Sequence, residues 1–129
     1  MAIKYGIIGV GGLGGYYGGR LAQAGKEVHF LLHSDYEYVK MHGLKVDSVN
    51  GDFHLKQLNA WCRAEDMPKC DVVIVCLKTT NNELLDRLLP PLLNEDTVVL
   101  LLQNGLGMER ELSERHPDYK LAGALAYIC

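Results

Sequence analysis

The chain has 129 residues, 48% of them hydrophobic and 22% charged, with a formal net charge of -3. That is one ordinary globular domain's worth of sequence, long enough to bury a core. The basic residues are scattered, which excludes the one-sided cationic face that nucleic acid demands, and no apolar run approaches the length that spans a bilayer.

From the N-terminus, Met1 to Val10 carries neither a charged leader nor a cleavage site and reads as a first strand, Ile3 to Gly9, in place of a signal peptide. Gly12 to Ala24 places Leu13, Tyr17, Leu21 and Ala24 at helical spacing, with Gly25 as the stop. Val28 to Leu32 is a second strand. Val46 to Leu55 is predicted as a hairpin turning on Asn50-Gly51, two residues that tolerate positive φ. Asp71 to Leu77 is apolar throughout and does not alternate, so both its faces should be covered, as in a parallel sheet between helices. Asn81 to Leu89 is a helix stopped by Pro90-Pro91, Thr97 to Leu102 a further buried strand, Leu106 to His116 a helix ending near Pro117, and Leu121 to Ile128 a last strand.

There is no repeat, low-complexity segment or linker, so residues 1–129 form one domain. Strands alternating with helices imply an α/β fold with right-handed crossovers, best met by a doubly wound, Rossmann-type parallel sheet with helices on both faces. Cys62, Cys70, Cys76 and Cys129 form no C-x-x-C pair and have no histidine cluster at metal-ligand spacing. They read as free thiols in a reduced, cytoplasmic setting, Cys76 packing as a small hydrophobe.

Gly9-Val10-Gly11-Gly12-Leu13-Gly14 fits G-x-G-x-x-G, preceded by a strand and opening a helix, which is the context its chemistry requires. Gly9 permits the tight turn, Gly11 admits a pyrophosphate to the backbone, and Gly14 lets the helix pack closely on the sheet. The helix N-terminus offers unpaired N–H groups and partial positive charge. Gly15, Gly18 and Gly19 lie in the same helix, and each interior glycine costs roughly 1 kcal/mol relative to alanine. Close packing on the sheet is the compensation expected, and packing alone is the alternative account of these glycines.

NAD-binding domains place a carboxylate near the end of the second strand for the ribose hydroxyls. Here Leu31 and Leu32 occupy that end, and no carboxylate occurs before Asp35. His33 and Ser34 can instead meet a 2′-phosphate as donors. Asp35 turned inward would favour NAD, and a solvated loop position is the plain alternative for His33.

Ligands of open parallel sheets bind beyond the carboxyl ends of the strands. Lys78 follows DVVIVCL directly, and Gln103-Asn104-Gly105 follows TVVLLL, on the edge that carries the glycine turn. Lys78 can place a cation beside the cofactor ribose or phosphates, and Asn104 offers a donor and an acceptor where nicotinamide and substrate meet. Their plain alternatives are a solvated lysine and a cap for the helix starting near Leu106.

The glycine turn, CLK ending at Lys78, LLLQNG ending at Gly105, the segment His42 to Val46 before the hairpin, and Gly123-Ala124-Leu125-Ala126-Tyr127-Ile128 together resemble the ketopantoate reductase family. The resemblance spans essentially the whole chain. It implies an NADP(H)-binding domain of an enzyme that reduces a small 2-oxo acid to a 2-hydroxy acid, with a homodimer open as the assembly of the full-length enzyme. It implies further that Lys78 and Asn104 contact cofactor, that Asn104 also reaches substrate, and that the Cys129 backbone lies beside the cofactor. The family's arginine for the 2′-phosphate is replaced by His33, a weaker and pH-dependent partner. The catalytic lysine belongs to a helical second domain that residues 1–129 do not include. Two rival expectations are a different dehydrogenase of the β-hydroxyacid or 6-phosphogluconate type and a nucleotide-sensing regulatory domain, which expects an acid at the position of Leu32.

Overall fold

A computed structural model describes residues 3–9, 12–32, 36–46, 53–55, 58–76, 82–102 and 112–124. Within these residues the elements follow one another as β1 (Lys4–Ile8), α1 (Gly12–Gln23), β2 (Glu27–Leu31), α2 (Tyr36–His42), β3 (Leu44–Val46), β4 (Phe53–Leu55), β5 (Asn59–Trp61), β6 (Cys70–Val75), α3 (Asn82–Leu88), β7 (Leu93–Leu102) and β8 (Lys120–Ala124). Residues 112–115 are also helical.

Six strands form one sheet in the order β5-β2-β1-β6-β7-β8, every neighbouring pair parallel. The apolar strands bury both faces by alternation. On β1, Ile7 enters one core and Ile8 the other; on β6, Ile74 faces with Ile7 while Val73 and Val75 face with Ile8. The Ile7 core is covered by Tyr17 and Leu21 of α1 and by Val39 of α2; the Ile8 core is covered by Leu85 of α3 and by Leu112. Helices on both faces explain why these strands do not alternate between apolar and polar residues. From β1 the chain moves outward to β2 and β5, then returns to build β6, β7 and β8 on the other side. The winding therefore reverses between β1 and β6, the switch point where a crevice opens at the carboxyl edge.

Helix α1 stops as expected. Gly25 has φ of +87°, its N–H donates to the Ala22 carbonyl and the Lys26 N–H to the Leu21 carbonyl, both at 3.0 Å. This is the paired bonding that closes a helix on a left-handed glycine.

Three elements depart from the sequence expectations. Helix α2 and strand β5 were not anticipated. Each buries a single hydrophobic side chain, Val39 and Ala60, too few to make a period. Pro90-Pro91 stops α3 as expected, and Pro90–Leu92 then forms a 3-10 turn that buries Leu92. Strand β7 starts at Leu93, four residues ahead of Thr97, although regular pairing resumes only at Val98. Between them the ladder is broken, and the buried Thr97 hydroxyl accepts from the Asn94 N–H at 2.9 Å and donates to the Cys70 carbonyl at 2.6 Å.

The hairpin exists as β3 and β4, and Leu44 pairs with Leu55 and Val46 with Phe53. Leu44 and Leu55 both pack into the Ile7 core, and that burial holds the register. Residues 47–52 themselves lie outside the described residues, as does 125–128 of the expected last strand.

Candidate functional site

The carboxyl ends of β1 and β6 stay zipped through their last residues: Ile8 pairs with Val75, and the Cys76 N–H donates to the Ile8 carbonyl at 2.8 Å. Immediately beyond, Gly9 has φ of +86°. An L side chain at that φ is strained, so glycine is required where the chain leaves β1 to reach the start of α1 at Gly12.

The first turn of α1 contains no acidic residue, and the first N–H groups of a helix have no intrahelical partners. Helix α1 is held on the sheet by Gly18. A Cβ there would lie 2.6 Å from Phe30 Cε1 and 2.9 Å from Ile7 Cγ1, closer than real Cβ atoms approach. The close approach thus depends on a glycine two turns into the helix. A left-handed glycine, an acid-free helix start and a clamped helix fit a pyrophosphate.

Among the expected site residues, Gly9 stands at the end of β1 and Gly12, Leu13 and Gly14 form the first turn of α1. Val10, Gly11, His33, Lys78, Asn104 and Cys129 lie outside the described residues. The strands that lead to Lys78 and Asn104 are adjacent and parallel, β6 ending at Val75 and β7 at Leu102, with Val75 paired to Leu101.

At the end of the second strand Leu31 and Leu32 are both buried, and neither carries a carboxylate, while Asp35 lies outside the described residues. The Leu32 N–H donates to the Trp61 carbonyl at 2.7 Å, which joins the carboxyl ends of β2 and β5. Behind that edge the Trp61 indole N–H donates to His29 Nδ1 at 3.1 Å, and His29 Nε2 lies 2.8 Å from Glu27 Oε2. Indole is a donor only, so Nδ1 accepts and the Nε2 proton points at Glu27. His29 is thereby a structural pin between β2 and β5.

Two polar residues at this edge escaped the sequence reading because α2 did. The Lys40 ammonium donates to the Tyr36 hydroxyl at 3.0 Å and stands 5.3 Å from that ring's centroid. Hydrogen bonding to Tyr36 holds its pKa above the ordinary 10.5, so it is charged at any physiological pH. The signal available in the sequence was Tyr-x-x-x-Lys at one-turn spacing just after the second strand.

Thiol chemistry at the crevice is disfavoured. Burial pushes Cys76, at the end of β6, up to about 12, and pushes Cys70 up to about 11. Both are inert thiols at neutral pH. Cys62 is exposed, and Cys62, Cys70 and Cys76 are all free. No helix among the described residues is long and apolar enough to cross a membrane.

Comparison with known proteins bears on this geometry. The family model described as ketopantoate reductase PanE/ApbA matches residues 5–129. A 2-dehydropantoate 2-reductase of Nostoc sp. is 56% identical over 126 residues, which are 98% of this chain and 40% of that protein. The crystal structure of 2-dehydropantoate 2-reductase from Geobacter metallireducens GS-15 superposes with a TM-score of 0.92 at 42% identity, over 98% of this chain and 42% of that one. A ternary structure of D-mandelate dehydrogenase with NADH and anilino(oxo)acetate superposes with a TM-score of 0.82 at 26% identity, over 95% of this chain and 40% of that one. The chain thus spans about two fifths of the length of these relatives.

Proposed function

Because the chain belongs to the ketopantoate reductase family, we propose that it is the dinucleotide-binding domain of an NADPH-dependent 2-dehydropantoate 2-reductase. The observation that carries this reading is Gly9 in a left-handed conformation at the switch point, with α1 starting three residues later. The domain spans residues 1–129, and the rest of such an enzyme supplies the substrate pocket and the general acid.

Bound NADPH supplies the hydride that reduces the keto carbon of a small 2-oxo acid. Gly9 to Gly14 receive the pyrophosphate through backbone N–H groups, without a side chain in the way. Lys78 and Asn104 follow adjacent strand ends and hold the ribose and nicotinamide side, Asn104 also meeting the substrate. His33 faces the adenosine end, and the Cys129 backbone borders the cofactor. Orientation of the dinucleotide is this domain's share of catalysis. Free cysteines, two of them buried as protonated thiols, suit the cytoplasm.

NADPH is favoured over NADH by the buried Leu31-Leu32 strand end, which offers no carboxylate to ribose hydroxyls. The same observation disfavours a nucleotide-sensing regulatory domain. D-mandelate dehydrogenase, solved with NADH, keeps a neighbouring 2-oxo acid reductase as the second reading.

The test joins residues 1–129 to the remaining portion of the Nostoc relative. The chain alone should bind NADPH in a calorimeter and leave ketopantoate unreduced, and the fusion should reduce it. Gly11→Val should abolish binding. In the fusion at saturating NADPH, Asn104→Ala should lose more kcat than Lys78→Ala, since a pure cofactor contact is compensated by concentration. Turnover by the chain alone, or equal binding by Gly11→Val and the parent, refutes this assignment.

A further inference from the structure

We propose that Lys40, held in place by Tyr36, is the cation that receives the adenosine 2′-phosphate. This rests on the dinucleotide reading of the glycine turn. With the pyrophosphate on the start of α1, the adenosine ribose falls at the carboxyl end of the second strand. That strand ends in buried Leu31 and Leu32, so its last side chains offer a phosphate nothing. The next described residue is Tyr36, the first of α2, packed at the border of the core that holds Leu32.

Lys40 sits one helical turn further on, yet its ammonium does not lie there. It folds back to the Tyr36 hydroxyl and the Tyr36 ring, which brings the charge to the level of the first turn of α2. Helix α2 packs against β5, whose end Cys62 follows. Since the Leu32 N–H is bonded to the Trp61 carbonyl, the ends of β2 and β5 and this ammonium share one corner of the sheet.

Several other described cations are placed elsewhere. Lys4 and Lys120 open strands, Lys26 and Lys69 precede them, and Arg20 is in the last turn of α1, so all five belong to the amino edge. Arg63 shares the carboxyl edge but lies 3.6 Å from the Glu65 carboxylate. The partner of Lys40 among the described residues is a neutral hydroxyl, which orients the ammonium without cancelling its charge. Tyr36 also lowers the entropy lost when a long lysine is fixed on a phosphate. A lysine offers this phosphate a permanent charge where a histidine offers a pH-dependent one.

The experiment uses calorimetry on the 129-residue chain with NADPH and NADH, and with adenosine 2′,5′-bisphosphate and adenosine 5′-monophosphate as probes of the adenosine end. Lys40 is exposed, so Lys40→Met and Lys40→Arg should both fold. The parent should prefer both 2′-phosphorylated ligands. Lys40→Met should weaken NADPH about tenfold and shrink the NADPH-to-NADH ratio by the same factor, the loss expected for one charge-assisted bond. Lys40→Arg should keep most of the ratio. A Lys40→Met chain with the parent's ratio, or a parent that binds NADH as tightly as NADPH, overturns the proposal while leaving the glycine turn intact. A parent that binds neither dinucleotide refutes the underlying site as well.

Discussion

Replacing Gly18 by alanine isolates the contact that seats α1. The added Cβ would lie 2.6 Å and 3.2 Å from two Phe30 ring carbons and 2.9 Å from Ile7 Cγ1. Neither neighbour can yield easily, since Phe30 and Ile7 are both 0% exposed on adjacent central strands. Reaching ordinary contact, which begins at 3.4 Å, requires α1 to retreat by about 0.8 Å. Alanine restores about 1 kcal/mol of helix propensity. Overpacking of a closed core costs about 1–3 kcal/mol, and the fully enclosed ring puts this site in the upper part of that range. The net expectation is a loss of about 1–2 kcal/mol. Urea unfolding followed by the fluorescence of Trp61, the only tryptophan, measures it. Because α1 starts at the glycine turn, NADPH affinity should fall too. Gly25→Ala provides the contrast: a Cβ there meets nothing within 4 Å, but φ is +87°, so it should cost about 1 kcal/mol through backbone strain and spare NADPH binding. Adding Phe30→Leu to Gly18→Ala should recover part of the lost stability. A Gly18→Ala chain as stable as the parent, or more so, refutes the clamp and shows that the gain in helix propensity outweighs any crowding against Phe30.

Thr97→Val keeps the shape of a buried side chain but leaves the Asn94 N–H and the Cys70 carbonyl without their hydroxyl partner, so it should cost about 1–3 kcal/mol in urea unfolding; no change would show that the broken ladder closes without it. The buried thiols predict an alkaline limit. Their folded pKa values, about 11 for Cys70 and about 12 for Cys76, lie above the ordinary 9.0. The unfolded chain therefore sheds these protons first, and stability that is complete below pH 9 falls as pH rises towards 11–12. Cys76→Ala should flatten the decline of urea midpoints at alkaline pH, whatever its effect at neutral pH, and an unchanged slope counts against burial as the cause. In the native chain a thiol reagent should modify Cys62 ahead of Cys70 and Cys76.

What the sequence determined by itself lies in the elements whose residues have few alternatives. Apolar runs such as DVVIVCL can only be strands covered on both faces, and five of the six parallel strands between two helical layers follow from such runs. Gly9 before a helix of glycines announced the turn because no other residue adopts its backbone at comparable cost. The absent carboxylate at Leu31-Leu32 was equally legible, since it is a matter of composition at a strand end. The tertiary structure decided the rest. Strand β5 and helix α2, with one buried apolar side chain each, exist because β2 and the Ile7 core accept them, and local propensity does not specify such short pieces. The hairpin register followed the burial of Leu44 and Leu55 in the Ile7 core. The close contact at Gly18 depended on Phe30, twelve residues away, and the place of Lys40 depended on a side chain folding back to Tyr36 on a helix that no periodicity revealed. In each case the deciding energy comes from a partner on another element, and a pattern read along one segment cannot contain it.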